Sequence, residues 1–115
     1  MDIFSIALSG MQAAQTQMNV AAQNVANLDT PGYQPARADL VDLSGGGVAV
    51  SHISQTSPTD PKTADPAEGS NVDLATEMVN MTRASLLYSA NAAVIKIGQK
   101  TTGALLDMFD QENQK

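Results

Sequence analysis

The sequence predicts a mainly α fold: two long terminal helices paired as an antiparallel helical hairpin or coiled coil, with a small β-hairpin and a Pro-rich linker between them. Apolar residues recur at helical spacing towards both ends of the chain. Each of those stretches carries a stop or start signal at its inner end. The middle is polar and punctuated by Gly and Pro. The chain divides accordingly into an N-terminal helix and turn (residues 1–33), a short hairpin plus flexible linker (34–69) and a C-terminal helix (70–115).

The first helix is expected from about Ile3 to Leu28. Phe4, Leu8, Met11, Gln15, Met18, Ala22 and Val25 alternate spacings of four and three, and Ala7, Ala14, Ala21 and Leu28 widen the stripe on one flank. This narrow seam suits a helix packed along its length against a partner. Ser5, Gln12, Thr16, Asn19 and Gln23 give the other side almost no charge. A solvated helix normally carries Lys and Glu there, so the second face is also expected to meet protein.

The helix should stop near Asn27. Pro31 disfavours helical geometry at Thr30, and Pro31-Gly32 suits the two central positions of a type II turn. Asn27, Asp29, Thr30, Pro31, Gly32 and Tyr33 form the expected turn motif. Residues 34–53 then read as a β-hairpin bent at Gly45-Gly46-Gly47, with Val48, Val50 and Ile53 alternating imperfectly with Ala49, Ser51 and His52. Pro58, Pro61 and Pro66, among Ser, Thr, Asp and Lys, make 54–69 a linker with no apolar face to bury.

The second helix is expected from about Val72 to Phe109. Ser70 with Asp73 three residues later resembles a capping box, and Asn71 offers a second candidate N-cap. The seam reads Leu74, Met78, Met81, Ser85, Tyr88, Ala92, Ile95, Gln99, Thr102, Leu106 and Phe109. At about 1.5 Å per residue the helices would span roughly 37 Å and 55–60 Å. Folded back on each other they cannot match, so Leu105, Leu106 and Phe109 overhang and need another partner. Met11, Met18, Val25, Leu74, Met78, Met81, Tyr88, Ile95, Leu106 and Phe109 are the candidate packing residues. The bland alternative, a private two-helix core, stays open on the seams alone.

Composition narrows the function classes. With 115 residues the chain is one domain at most, and two Phe, two Tyr and no Trp leave Ala, Val, Leu, Ile and six Met to pack it. A net charge of −6 with scattered basic residues argues against nucleic-acid binding. The absence of Cys excludes disulfides, thiolate metal sites and a Cys nucleophile. Polar residues interrupt every apolar run before membrane-spanning length. Asp2, Gln12, Gln15, Gln17 and Asn19 do not suit a cleavable signal peptide, so none is expected.

Catalytic patterns are thin. His52 is the only histidine and sits in a polar hairpin. Asp39 with Asp42 and Asp107 with Asp110 read as solvated faces. Gly45-Gly46-Gly47 lacks the Lys-Ser/Thr of a phosphate loop, and Gly98-Gln99-Lys100-Thr101 has Gln where that loop needs Gly. No enzyme, cofactor, metal or small-molecule substrate is expected.

Two longer motifs carry a resemblance. Ser9 to Ala14 (SGMQAA) and Asn19 to Tyr33 (NVAAQNVANLDTPGY) resemble the N-terminal signature of bacterial flagellar rod and hook axial proteins. Glu68 to Met81 (EGSNVDLATEMVNM), followed by Tyr88-Ser89-Ala90-Asn91, resembles their C-terminal signature. The resemblance implies terminal helices packed as a coiled coil in the inner layer of a helical tube. It also implies passage through the flagellar type III export apparatus and a place in the periplasmic rod of the basal body. Hook and distal-rod members carry large domains between the signatures, so this chain resembles the small proximal-rod proteins most. The expected partners are other copies of itself, other rod proteins and, in transit, the export apparatus. A small helical adaptor or export chaperone that never polymerises is the alternative.

Overall fold

A computed structural model describes residues 2–55 and 69–112. It holds α1 (Ile3–Ala26), β1 (Ala36–Asp42), β2 (Val48–Gln55) and α2 (Leu74–Glu112). The mainly helical architecture with one small antiparallel hairpin is the one the sequence predicts. The linker expected over 54–69 lies almost wholly outside the described residues.

α1 ends two residues before Leu28, because Asn27 leaves helical geometry: its N–H turns back to the Asn24 carbonyl and the Leu28 N–H to the Val25 carbonyl, each at 3.1 Å. Thr30 N–H then bonds to the Asn27 carbonyl at 3.0 Å and Tyr33 N–H to the Thr30 carbonyl at 3.2 Å. Gly32 takes φ +72°, the left-handed conformation that a type II turn demands after Pro31. The Asn27 side chain braces the same bend by accepting the Thr30 hydroxyl at 3.1 Å.

α2 starts at Leu74 rather than Val72, and its cap differs from the expected Ser70 or Asn71. Asp73 holds that position. Its carboxylate accepts Ala75 N–H at 3.0 Å and the Thr76 hydroxyl at 2.8 Å, while its carbonyl accepts Glu77 N–H at 3.0 Å. Ser70 instead accepts Val72 N–H at 3.2 Å, a tight bend ahead of the helix. The capping box fails because Asp73 reaches forward to donors freed by the first turn, not back to Ser70.

The hairpin is closed by Leu43 N–H to the Gly47 carbonyl and Gly46 N–H to the Leu43 carbonyl, with Gly46 and Gly47 at positive φ. Pairing runs Ala36 with Gln55 to Asp39 with His52, then slips so that Leu40 faces Val50. Ser51 is the extra residue, and its hydroxyl donates to the Asp39 carbonyl at 3.0 Å. This bulge explains the imperfect alternation: it returns Ile53 to the face that carries Val48 and Val50. His52 is a surface residue whose Nε2 lies 3.1 Å from the Asp39 carboxylate.

The molecule is long and thin, 79 × 26 × 14 Å, with α1 touching both α2 and the hairpin. Its core is built from small residues. Ala7, Ala13, Ala14, Val20, Ala21 and Asn24 are buried on α1, and Glu77 and Ala84 on α2. The helices approach so closely that a Cβ on Gly10 would lie 2.7 Å from the Asn91 carboxamide, and one on Gly98 would lie 2.9 Å from the Phe4 ring. These contacts fix an antiparallel register. They also correct the expected seams. The stripe at the contact on α1 is the Ala7-Ala14-Ala21 flank, and on α2 it is Glu77-Ala84-Asn91-Gly98, rotated away from Leu74, Met78 and Ser85. Large side chains at the centre would force the axes apart.

Candidate assembly surface

The two inner ends of the helices meet at one joint. Gly32 N–H bonds to the Gly69 carbonyl at 3.1 Å, and Asn71 N–H bonds to the Tyr33 carbonyl at 3.1 Å. The turn after α1 and the lead-in to α2 thus brace each other, and Gly69 adopts φ +54° to make the approach. At the helix start, the hydroxyl of Thr76 and then the amide of Ala75 hold the Asp73 carboxyl below its usual range.

Asn24, which sequence reasoning quoted only as part of a motif, organises this end. It is 1% exposed. Its carboxamide accepts Ala36 N–H at 2.8 Å, donates to the Ala36 carbonyl at 2.9 Å and accepts the Tyr33 hydroxyl at 3.2 Å. One side chain therefore satisfies both backbone groups of the first β1 residue, as a neighbouring strand would. At the other end of the hairpin, Val48 N–H donates to the Ser9 hydroxyl at 3.1 Å, and a Cβ on Gly47 would stand only 2.6 Å from that oxygen. The hairpin is consequently strapped along α1 between Asn24 and Ser9. The available signal for Asn24 was a polar residue in register with the alanine stripe, three positions after Ala21.

The expected packing residues fall outside the buried core. Met11, Met18, Val25, Tyr88 and Ile95 are half-buried along its margins, whereas Leu74, Met78, Met81, Leu106 and Phe109 are exposed. Ile3, Leu8, Val79, Leu86, Ile97, Leu105 and Met108 add further exposed apolar area, with Leu86 and Met108 the most open at 69% and 68%. α1 begins beside Gly98, and α2 runs on to Glu112 with every residue from Gln99 onward exposed. The turn residues Asp29, Thr30, Pro31 and Gly32 are also exposed, and Asn27 and Tyr33 half-buried. Among the described residues there is no cluster able to hold a metal ion, and no helix is long and apolar enough to cross a membrane.

The comparisons with known proteins fit this geometry at both ends. Residues 4–34 match the family model described as flagella basal body rod protein, and residues 67–108 match that of the flagellar basal body rod FlgEFG protein C-terminal region. Flagellar basal-body rod protein FlgC of Escherichia coli is 35% identical over 116 aligned residues, covering 83% of this chain and 87% of that protein. The chain belongs to the flagellar basal-body rod protein family. FlgC of Salmonella typhimurium is 34% identical over the same shares. Rod protein FlgG of Agrobacterium fabrum is 49% identical, but over 43 residues that make up 37% of this chain and 16% of that protein. The broad likeness to FlgC agrees with a small proximal-rod member. The two family-matched regions are those joined by the Gly32–Gly69 and Asn71–Tyr33 bonds.

Proposed function

We infer that this chain is a structural, non-enzymatic subunit of the flagellar basal-body rod. The observation that carries the reading is the mismatch between its core and its surface. Alanine, glycine and asparagine make the contact between the helices, while Met, Leu, Ile and Phe on the same helices face outward. An isolated soluble domain rarely leaves so many large apolar side chains open along one helix as α2 does at Met78, Val79, Leu86, Ile97, Leu106, Met108 and Phe109. A subunit buried among neighbours requires it. Similarity across most of the rod relatives' length supports this reading and gives no support to a non-polymerising helical adaptor.

Finer elements of the proposal rest on residues. Met78, Met81, Leu106 and Phe109 pack against adjoining subunits, with Met11, Met18, Val25, Leu74, Tyr88 and Ile95 completing those contacts. The packing is heterologous, one patch against a different patch, so it propagates as a helical wall that transmits torque. The Asn27–Tyr33 turn sets the direction in which the chain leaves that wall. Partners are other copies and other rod proteins, with the export apparatus met in transit. Fractionation tests the reading: the chain should copurify with detergent-extracted hook–basal bodies. Recovery only as a soluble one-to-one complex in the cytoplasm would rule it out.

A further inference from the structure

α2 changes character at Gly98. Up to that residue the helix packs on α1, so closely that a Cβ on Gly98 would stand 2.9 Å from the Phe4 ring. Residues 99–112 are all exposed. Helices in proteins owe most of their stability to packing, and this length of α2 has none within the described chain.

The crossing point is also where α2 is weakest by sequence. Both of its glycines fall within Gly98-Gln99-Lys100-Thr101-Thr102-Gly103. Gly98 makes room for Phe4, but no atom lies within 4 Å of where a Cβ on Gly103 would stand. A helical glycine with nothing to accommodate only weakens its turn relative to Ala. Between the glycines, the Thr101 and Thr102 hydroxyls donate to the Ile97 and Gly98 carbonyls, each at 3.0 Å. Bonds of this kind slightly destabilise a helix and bend it. Thr82 makes the same bond to the Met78 carbonyl, but there the neighbouring Ala84 is buried and packing holds the helix. Past Gly103 the sequence strengthens again. Ala104, Leu105, Leu106, Met108, Gln111 and Glu112 are good helix formers, so the weakness is a short interval between two sound helices, unlike a fraying end.

We propose that residues 98–103 are a hinge, about which the tip of α2 (104–112) swings as a rigid helix and aims its apolar residues at differently placed neighbours. Leu105, Leu106, Met108 and Phe109 are the side chains so carried. The use of the swing rests on the rod reading, whereas the swing itself is a property of the single chain.

The chain has no cysteine, so cysteines introduced at Ser5 on α1 and Asp110 on the tip take spin labels at those two sites alone. Electron–electron distance measurement on the full chain should give a broad distribution. It should narrow in Thr101→Ala/Thr102→Ala/Gly103→Ala, which strengthens the helix at exposed positions. A parent distribution as narrow as that of the triple variant would overturn the hinge. In flagellated cells the triple variant should be at least about threefold less abundant in purified basal bodies, because a locked tip seldom adopts the pose a neighbour needs. Thr102→Gly/Gly103→Ala keeps the added methyl at 103 but restores a free backbone beside it, and should regain parent-level incorporation. Parent-level incorporation of the triple variant, or failure of that rescue, would overturn the hinge's part in assembly and leave the rod reading standing. Absence of the unmodified chain from basal bodies would overturn the rod reading and the tip's use with it, while the distance distributions still decide the hinge.

Discussion

α1 and α2 look alike as sequences and differ as objects. Both carry apolar residues at helical spacing, yet α1 is enclosed by α2 on one side and the hairpin on another, while α2 buries only Glu77 and Ala84. Size is what separates the roles. Alanines at seven-residue spacing on α1 let two backbones and a hairpin crowd together, and the larger Met, Leu and Phe residues are left outside. The contrast teaches that intramolecular and intermolecular contacts are sorted here by side-chain volume more than by hydrophobicity.

The sharpest way to break that contrast is at Asn24. Asn24→Ala leaves both backbone groups of Ala36 and the Tyr33 hydroxyl without their partner inside the chain. The expected loss is about 2–4 kcal/mol, since buried donors and acceptors lose their bonds without gaining water. Urea unfolding of the isolated chain measures it. An unchanged midpoint would mean that the hairpin is held by something other than the carboxamide.

A paired comparison sharpens the distinction between inner and outer faces. Ala14→Leu inserts volume where α1 is 1% exposed and should cost about 1–3 kcal/mol through overpacking. Leu106→Ser, on the exposed overhang, should shift chain stability by less than about 0.5 kcal/mol but strongly reduce recovery in basal bodies. Equal effects of both variants on folding would show that the overhang belongs to the chain's own core.

Much of this division was legible beforehand, and the rest was hidden for identifiable reasons. The 3.6-residue period, the Pro31-Gly32 turn and the triple-glycine bend are local signals, and each element appears where its signal stands. The rotation of the helices was not legible. A stripe of large residues and a flank of alanines both satisfy the period, and only close approach at Gly10 and Gly98 decides between them. Asn24 bonds to a residue twelve positions away, and no local pattern announces that. The Ser51 bulge did leave a trace, the three-residue step from Val50 to Ile53, but a slipped alternation alone does not reveal which residue is extra. Ser70 and Asp73 satisfy the capping-box spacing, yet the first turn's own donors draw the Asp73 carboxylate forward.

Gly32→Val probes the joint between the two regions. A β-branched residue at φ +72° is strained even though no neighbouring atom obstructs it. The cost should be about 1–2 kcal/mol, with weakened bonds to Gly69 and a matching drop in assembly. Normal motility and normal basal bodies would count against the turn as the element that sets the chain's direction.

The smallest expected effect is a pH response at the start of α2. The Thr76 hydroxyl and the Ala75 amide favour the charged Asp73 carboxylate, so its folded-state pKa lies below the unfolded one. The sign follows: this contribution is fully present above the unfolded value of roughly 3.9 and is lost as pH falls through the lowered folded value. The group is solvent-exposed, so the response should be slight and weakened further by salt. Asp73→Asn keeps a side-chain oxygen for Ala75 and removes the titration. Melting temperatures of the two chains should therefore converge as pH falls below 3.9, whereas a gap that stays constant through that range would place the cap's contribution in its hydrogen bonds and not in its charge.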